Sequence, residues 1–441
     1  MGKKAGRNKN IILVLAAFVV AGVLAAIAIA GLPAAPTFGE KSAGLPAAQR
    51  DPGEQQLAET KASSGDSRRV ILSMGERDDT MYISWSGDEG GPRLVRVSDD
   101  RYSLPVTVPV RAVRTKFFGK SEYRYNAMIT GLEVGETYYY EIGDGVIYDG
   151  PEEFTVSDGE VFAYMGDPQF DESTDDYVAW GALAANMYET NPEVGFVLLG
   201  GDMVNLPKKS HWGAFLDSCG VFKNVPMMTV PGNHEGVTSN NTYKSYFHHV
   251  GNGPDGEAFY WFEKGRCRFI MLDSSFMTKA RQVAMGKGDW RRTNEKIKSW
   301  LEEALRTSEK TWNIVVVHHP VYGLHDMFTV SPEVREEWLP IMEEGGVDLV
   351  LCGHQHVYMR TRALDGIVYV MGVSGAKQSK YYSGINEPIY SESIYAAGPN
   401  YQILRATDDK LEITSYNEKG SIVDAACIKK GVNPPYFRIF W

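Results

Sequence analysis

The sequence predicts an α/β domain preceded by an all-β sandwich. Three observations support this fold class. The chain has 441 residues, enough for roughly two to three domains of ordinary size. Residues 70–156 contain short β-like runs separated by Gly, Pro and Asp turns. From residue 160 onward, short apolar strands alternate with amphipathic helical stretches, which is the pattern of α/β units with a sheet covered on both faces.

The first segment, residues 1–33, is predicted to be a signal peptide or a signal anchor. A basic head precedes about twenty uncharged residues, from Ile11 to Ala30, close to the length that spans a bilayer. The small residues AIA at 28–30 resemble a cleavage site, whereas the length of the apolar stretch favours a retained anchor, and both interpretations stay open. Either one places the remainder outside the cytoplasm, membrane-anchored or secreted.

The next two segments are a linker and a sandwich. Residues 34–69 are predicted to be a flexible linker, because they are rich in Gly, Pro, Ala, Ser and charge and lack apolar periodicity. Residues 70–157 are predicted to form a small β-sandwich. Its expected strands are VILSM, TMYISWSG, RLVRVS, YRYNAMITGL, TYYYEIGDG and EEFTV.

Residues 158–441 are predicted to form the α/β domain, including strands at its C-terminal end. Its expected buried strands are VFAYMG, VGFVLLGG, VPMMTVPG, WNIVVVHH and VDLVLCGH. The amphipathic stretches are DDYVAWGALAANMYE, WGAFLDSC, EKIKSWLEEAL and VREEWLPIMEEGG. After Ile367, the pieces IVYVMGVSG, YQILRAT, KLEITSYN and SIVDAACI are expected to complete a second sheet.

Polar side chains follow the five buried strands at the points where the strands end. The endings are GDPQ at 166–169, GGDMVN at 200–205, PGNHE at 231–235, VVVHHP at 315–320 and CGHQH at 352–356. Ligands of open α/β sheets bind at the carboxyl ends of strands. The candidate ligands are Asp167, Asp202, Asn233, His318, His354 and His356. This mixture of oxygen and imidazole suits two divalent metal ions such as Fe, Mn, Zn or Co, which would share one carboxylate.

The net charge of the chain indicates which kinds of partner it can bind. The formal net charge of −11 argues against a nucleic-acid backbone, which is bound by Lys and Arg. An anionic substrate must therefore meet local positive charge, which bound metals would supply.

The four Cys are too few and too scattered for a disulfide framework, although an exported protein could pair Cys219 with Cys267. Cys352 is expected to be a small buried apolar residue.

The strand endings, in this order, resemble the calcineurin-like metallophosphoesterase superfamily. With the sandwich in front, the chain is most similar to bacterial purple acid phosphatase-like proteins, roughly over residues 70–420. The stretch YNAMITGLEVGETYYYEIGDG resembles their fibronectin type III-like N-terminal domain. The resemblance implies a four-layer α/β/β/α sandwich with two metal ions. It assigns Asp202 to both ions, Asp167 and His356 to the first, and Asn233, His318 and His354 to the second.

Two positions depart from the family pattern. Purple acid phosphatases have a Tyr three residues after the bridging Asp, and its phenolate binds coloured iron(III); here this residue is Asn205, a neighbour of the ligands rather than a ligand. Other members have a His two residues after the first Asp; here it is Gln169, interpreted as a neutral oxygen ligand or as a hydrogen-bond partner of a ligand. We therefore expect a weaker first site and no purple colour.

Two His residues are the candidates for catalysis. The resemblance places His234 beside the phosphate, where it could protonate the leaving alkoxide or stabilise the pentacoordinate phosphorus. His319 is interpreted as a phosphate contact or as a structural residue. Glu235 is expected to support neighbouring backbone. His325 lies on a loop that could reach the site, although a surface position is the favoured interpretation.

The resemblance implies hydrolysis of small phosphate monoesters by attack of a hydroxide held by the two metals, outside the cytoplasmic membrane. One alternative is a phosphodiesterase that hydrolyses nucleotides at the same centre. Another is a surface binding module with a degenerate metal site, an interpretation that the unusual residues at positions 169 and 205 keep open. The expected partners are a small phosphorylated substrate and, through an uncleaved N-terminal segment, the membrane, with no nucleic-acid backbone.

Overall fold

The computed structural model describes residues 69–438, except 92, 101–105, 118–119, 170–173, 237–238, 249, 255, 328, 380–387 and 432–435. The predicted signal segment, residues 1–33, and the predicted linker up to residue 68 lie outside the described residues. Within the described part, no helix combines the length and the apolar character that crossing a bilayer requires.

The N-terminal part is a sandwich of two four-stranded antiparallel sheets. One sheet contains, in spatial order, Ile71–Met74 (β1), Met81–Gly87 (β2), Lys120–Ile129 (β6) and Val110–Phe117 (β5). The other contains Val106–Val108 (β4), Leu94–Ser98 (β3), Thr137–Gly143 (β7) and Tyr148–Thr155 (β8). Alternate side chains, among them Ile83, Trp85 and Val95, are fully buried between the two sheets. The predicted β-sandwich is confirmed.

Two strands of the sandwich, β4 and β5, are absent from the sequence prediction. Pro109 separates them, and because Pro has no amide hydrogen it is typical of turns and sheet edges. In the structure both strands lie at the edge of a sheet, where each has one neighbour and the missing donor is tolerated.

The C-terminal part contains two seven-stranded sheets. The first has the spatial order Met227–Thr229 (β11), Val197–Leu199 (β10), Val161–Met165 (β9), Asn400–Ala406 (β19), Lys410–Asn417 (β20), Ile422–Lys429 (β21) and Tyr436–Arg438 (β22). The second has the order Tyr260–Lys264 (β12), Cys267–Leu272 (β13), Trp312–Val317 (β14), Leu349–Cys352 (β15), Val368–Met371 (β17), Tyr358–Thr361 (β16) and Ser391–Tyr395 (β18).

Helices cover the outer faces of both sheets. They are Thr174–Thr190 (α1), Lys209–Ser218 (α2), Asn241–Tyr246 (α3), Lys279–Met285 (α4), Lys287–Arg306 (α5), Ser331–Glu337 (α6) and Leu339–Glu344 (α7). In β9, Ala163 and Met165 pack with Trp180 of α1, whereas the alternate residues Phe162 and Tyr164 belong to the core between the sheets. Side chains of α5, α6 and α7 pack in the same way on the second sheet. The predicted α/β/β/α layering is confirmed.

The sequence analysis expected the strands after Ile367 to complete the second sheet, and this expectation is wrong for most of them. Only β17 and β18 join it, whereas β19 pairs with β9 and extends the first sheet through β20, β21 and β22. The pattern of a buried strand is local and does not specify its partner. The backbone groups at the free edge of β9 are satisfied by β19, a strand more than two hundred positions away in the chain.

The sandwich and the α/β part share one core. Side chains from both belong to one cluster of buried residues. The guanidinium of Arg124 lies between them and donates to Ser86 Oγ at 2.8 Å and to the Tyr246 carbonyl oxygen at 3.5 Å. Tyr140 Oη donates to the Lys223 carbonyl oxygen at 2.7 Å. The sandwich is therefore packed against the α/β part through both apolar and polar contacts.

Parallel pairing fixes where the strand endings lie. In the first sheet β9, β10 and β11 are parallel neighbours, and in the second β13, β14, β15 and β17 are. Because parallel neighbours end on the same side of a sheet, the predicted ligands of each sheet lie at a single edge.

Candidate metal centre

The structure brings the ligand candidates of the two sheets together. The backbone amide of His354, after β15, donates to Asp167 Oδ2, after β9, at 2.7 Å. His318 Nε2, after β14, lies 3.1 Å from Asp202 Oδ2, after β10. The rings of His318 and His354 have centroids 5.2 Å apart. One cluster therefore spans both sheets.

Asp202 lies at the centre of this cluster and is almost completely buried. Its Oδ1 accepts a hydrogen bond from the His234 amide at 2.9 Å, and its Oδ2 faces His318 Nε2. The carboxylate of Glu235 holds the loops around it, accepting from the amides of Asp202, Val204 and Gly232 at 2.8, 2.9 and 2.7 Å. Glu235 thus supports neighbouring backbone, as the sequence analysis expected.

His318 is oriented by a backbone carbonyl group. Its Nδ1 lies 2.8 Å from the Gly200 carbonyl oxygen, which can only accept, so Nδ1 carries a hydrogen. Its Nε2 therefore faces Asp202 Oδ2 and, at 3.2 Å, Asn233 Oδ1. Such a carbonyl contact is the usual way in which a metal-binding imidazole is fixed. Burial disfavours the charged imidazole, yet the carboxylates of Asp202 and Asp167 raise the pKa of His318 to about 10.

Two polar atoms of the cluster are shielded from solvent without a hydrogen-bond partner: Asp167 Oδ1 and His356 Nδ1. Burying such an atom unpaired is unfavourable. Burial, together with the nearby charge of Asp202, raises the pKa of Asp167 to about 7. Two buried carboxylates and an unpartnered imidazole nitrogen form a donor set that a cation would satisfy.

The backbone of the site is held in a conformation that is rare for side-chain-bearing residues. Positive φ angles occur at Asp167 (39°), Asp202 (51°), His354 (73°) and His356 (51°), four of the six such non-glycine residues in the described part of the chain. Each costs on the order of 1–3 kcal/mol, and such residues cluster at functional sites. Four of the proposed ligands thus share an unusual backbone conformation just after their strands.

Glycines allow the loops to approach this closely. A Cβ atom at position 353 would lie 2.0 Å from Asp167 Oδ2, and one at position 232 would lie 2.1 Å from Asp202 Oδ1. Both distances are too short for real atoms, so Gly353 and Gly232 are required where the ligand loops meet.

His234 lies at the open side of the cluster. Its side chain is 29% exposed, and its Nε2 is 3.9 Å from Asp202 Oδ2. Its Nδ1 lies 2.7 Å from the Asn205 carbonyl oxygen, which can only accept, so this nitrogen also carries a hydrogen. Nε2 is then the atom of His234 that can exchange a proton with a molecule in the pocket.

Gln169 and Asn205, the two unusual positions, are hydrogen-bonded to each other. Gln169 Nε2 donates to Asn205 Oδ1 at 3.0 Å, and Gln169 Oε1 accepts from Lys377 Nζ at 2.8 Å. Both ends of the Gln169 amide therefore have partners. Of the two interpretations from the sequence, this favours a hydrogen-bond partner near the ligands over a ligand.

His319 is buried behind His318. Its Nδ1 and its backbone amide lie 2.8 and 2.9 Å from Ser274 Oγ, and its ring centroid is 4.4 Å from that of His354. It does not line the pocket described below, in contrast to His234.

The cluster offers the donors that a metal needs. Among the described residues, two groups place His and Asp ligand atoms within 4.8 Å of one another: Asp167, Asp202 and His318, and His318, His319 and His354. Both groups include His318, and together they involve four of the five strand endings. Together with the unpartnered atoms of Asp167 and His356, the donor set fits bound metal.

A pocket of about 670 Å³ opens onto the cluster. Its lining includes Asp202, His234, His354 and His356. His325 also lines the pocket, which is the less favoured of the two positions that the sequence allowed for it. Gln355 Nε2 donates to the His325 carbonyl oxygen at 2.7 Å and so holds the His325 loop next to the site.

The sequence analysis missed Lys377 and Ser274. Lys377 follows β17, which is parallel to β15, so its loop lies at the same sheet edge as the ligands. The strand-end rule that found the other endings could have found it. Ser274 follows β13 at that edge and contacts His319.

Metal binding is expected to stabilise the folded protein, because it would compensate the buried charges of Asp167 and Asp202. At a metal concentration one hundred times the dissociation constant, one site adds about 2.7 kcal/mol to the free energy of unfolding. Thermal unfolding of chelator-treated protein, with and without added Mn, Fe, Zn or Co, measures the effect. An unfolding temperature that no metal raises would contradict the assignment of this cluster.

Comparisons with known proteins agree with the geometry. Residues 161–358 match the family model described as calcineurin-like phosphoesterase. Residues 67–156 match the model described as the N-terminal domain of purple acid phosphatase.

Several curated relatives are similar to the chain over part of their length. An uncharacterized protein of Mycobacterium tuberculosis is 31% identical over 155 residues, or 32% of this chain and 29% of that protein. A purple acid phosphatase of Glycine max is 24% identical over 66% of this chain and 64% of its own length. An Fe(3+)-Zn(2+) purple acid phosphatase of Arabidopsis thaliana is 24% identical over 63% of this chain and 59% of its own. The chain thus spans less than two thirds of these relatives.

A solved structure has a similar fold. The purple acid phosphatase from yellow lupin seeds superimposes with a TM-score of 0.67 over 83% of this chain and 75% of that one. The sequence identity is 15%, so the similarity concerns the fold.

Proposed function

We propose that this chain hydrolyses phosphate monoesters with two bound divalent metal ions, because it has a calcineurin-like phosphoesterase domain and the N-terminal domain of purple acid phosphatases. The observation that carries the proposal is the buried Asp202 carboxylate, which contacts groups from both sheets at the floor of an open pocket.

The proposed ligands follow the strand endings. Asp202 would be shared, Asp167 and His356 would complete one site, and Asn233, His318 and His354 the other. Gln169 would support the first site through its hydrogen bond with Asn205. Bound metals would attract the phosphate and lower the pKa of a coordinated water, which supplies the nucleophile of hydrolysis.

The remaining chemistry belongs to side chains around the ligands. His234 presents Nε2 to the pocket while Nδ1–H donates to the Asn205 carbonyl oxygen. A proton on Nε2 could then pass to the oxygen of the leaving group, which makes His234 the proposed general acid. His319 is proposed to support the rings of His318 and His354, because it is buried beside both of them.

The test combines metal analysis with kinetics. Purified protein is analysed for metals, stripped with a chelator and reloaded separately with Mn, Fe, Zn or Co. Hydrolysis of p-nitrophenyl phosphate and of bis-p-nitrophenyl phosphate is measured at each stage. The proposal requires monoester hydrolysis that disappears on stripping and returns with metal. A stripped protein that is fully active, or a reloaded one that cleaves neither ester, would refute it.

Removal of residues 1–68 is expected to leave a folded protein with unchanged metal content and hydrolysis, because the proposed ligands lie between residues 167 and 356. Arg69 is retained, and its guanidinium pairs with Asp217 at 2.7 Å. Comparing the truncated with the full-length protein in detergent checks this prediction. Loss of activity in a truncated protein with a normal unfolding transition would show that the N-terminal segment contributes to the site.

The proposed location is extracytoplasmic, and it rests on the basic head and apolar stretch within residues 1–30. Fractionation of cells that express the full chain tests it. Recovery of the protein in the cytoplasmic fraction would contradict the location without affecting the proposed chemistry.

A further inference from the structure

Lys377 places a positive charge in the pocket beside the metal cluster. Among the pocket-lining residues that the structure describes, it is the single Lys or Arg. The same lining contains Asp202, His234, His354 and His356. Of the residues whose positions the structure gives, Lys377 is therefore the permanent cation that a molecule bound next to the cluster would meet there.

The loop that bears Lys377 is fastened to the ligand loops. Ser374 donates to the Gly166 carbonyl oxygen through its amide at 2.6 Å and its hydroxyl at 2.7 Å. The amide of Gly375 donates to the Asp167 carbonyl oxygen at 2.9 Å, and that of Ser379 to the His356 carbonyl oxygen at 2.9 Å. Backbone bonds on both sides of Lys377 thus tie its position to two proposed ligands.

The close approach of these loops requires glycine at position 375. A Cβ atom there would lie 2.7 Å from the Asp167 carbonyl oxygen and 2.9 Å from that of Gln169. The backbone at Gly375, two residues before Lys377, therefore packs directly on the backbone of residues 167–169.

The ammonium group of Lys377 has a neutral partner. Its Nζ donates to Gln169 Oε1 at 2.8 Å, and the other end of this amide donates to Asn205 Oδ1. An ammonium has three hydrogens to donate, and an amide oxygen leaves its charge in place. No carboxylate in the described part of the chain lies within ion-pair distance of Lys377. Its charge remains available to an anion.

Phosphate esters differ in the oxygens that could use this charge. A monoester has three terminal oxygens and close to two negative charges at pH 7, because its second pKa is about 6. A diester has two terminal oxygens and one charge. A fixed cation beside the cluster therefore favours the monoester.

We infer that Lys377 is a specificity-determining residue that donates a hydrogen bond to a terminal oxygen of a phosphate monoester and so favours monoesters over diesters. The inference rests on the proposed function and names the substrate class of the same pocket. Gln169 and Asn205 would hold the ammonium group in position through their hydrogen bonds.

The test compares Lys377→Met and Lys377→Arg with the full-length, metal-loaded protein. Lys296→Met is the matched control, because Lys296 is an exposed lysine of α5 outside the pocket lining and its loss changes the net charge equally. Binding of inorganic phosphate is measured by calorimetry, metal content by elemental analysis, and kcat/KM with p-nitrophenyl phosphate and bis-p-nitrophenyl phosphate.

The expected result is selective. Lys377→Met should weaken phosphate binding and lower kcat/KM for the monoester by about 10–100-fold, the usual effect of losing a hydrogen bond to a charged group. The diester rate should change by less than about threefold, the metal content should stay the same, and Lys377→Arg should recover most of the loss. Lys296→Met should behave as the unmodified protein.

Three outcomes would overturn the inference: unchanged phosphate affinity in Lys377→Met, equal losses for both esters, or loss of metal. Failure of the proposed function looks different. If the unmodified protein cleaves neither ester, that function is wrong, whereas phosphate binding that Lys377→Met weakens at constant metal content would still support the phosphate contact of Lys377. An unmodified protein that does not bind phosphate would overturn both.

Discussion

Asp202→Ala is expected to lose both proposed metal ions and to lower hydrolysis by at least about 10³-fold, because the proposed chemistry would depend on the metals that Asp202 would help to hold. The Asp202 carboxylate contacts His318, which follows a strand of the second sheet, and the backbone amide of His234, which follows a strand of the first. Its removal takes a ligand from both proposed sites. Elemental analysis, calorimetric metal titration and kcat/KM for p-nitrophenyl phosphate measure the loss.

The control for this variant is Asp348→Asn. Asp348 is another largely buried carboxylate, but it lies at the amino end of β15, where it accepts from Lys430 Nζ at 2.6 Å and from the Asn313 amide at 3.0 Å. Its replacement should lower stability and leave metal content unchanged. Two metal equivalents in a folded Asp202→Ala protein would show that Asp202 is not the shared ligand. Asp167→Ala, by comparison, should lose only the first ion.

His234→Ala is expected to keep both metals and to lower kcat by about 10²–10⁴-fold, the range for loss of a positioned proton donor. The structure separates its role from that of the ligands. Its Nδ1 is occupied by the Asn205 carbonyl oxygen and its Nε2 is 3.9 Å from Asp202 Oδ2, facing the pocket. Elemental analysis and steady-state kinetics check the two parts of the prediction.

The choice of leaving group distinguishes proton transfer from a merely structural effect. An alkyl phosphate needs protonation of its departing oxygen far more than p-nitrophenyl phosphate does. The loss in His234→Ala should therefore be larger for the alkyl ester. Equal losses for both esters would assign His234 to stabilisation of the phosphorus centre, and full activity would remove it from the mechanism. His211→Ala serves as a control, because His211 contacts the Leu206 amide at 3.1 Å and does not line the pocket.

Gln169 and Asn205, the two residues that depart from the family pattern, belong to one hydrogen-bonded group in the structure. The resemblance implies an imidazole and a phenolate ligand at these positions in other members, whereas here the Gln169 amide bonds to both Asn205 and Lys377. The positive charge of Lys377 thus lies next to the two positions at which the resemblance would have predicted ligands. A weaker first site is therefore expected. No iron(III)–phenolate colour is expected either, because Asn205 stands where the family pattern has a Tyr.

Much of the fold follows from local patterns. The runs VFAYMG, VGFVLLGG and WNIVVVHH predict strands because their length and continuous apolar character require burial on both faces, and β9, β10 and β14 are such strands. The edge strands β4 and β5 were missed because Pro109, which separates them, is typical of a turn. The pairing of β19 with β9 could not be predicted, because the pattern of a strand does not encode its neighbour.

The sequence by itself determined which side chains end the buried strands: the Asp, Asn and His residues from Asp167 to His356, whose donor atoms suit first-row metals. It determined this because apolar periodicity and glycine-containing turns are local properties of the chain. Only the tertiary structure decided how these residues meet. Asp167 and His354 are hydrogen-bonded across 187 positions of sequence, and Lys377 contacts Gln169 across 208. Contacts of this kind depend on strand order and on the positive φ angles of the ligand loops, which packing of the whole domain maintains against their local cost.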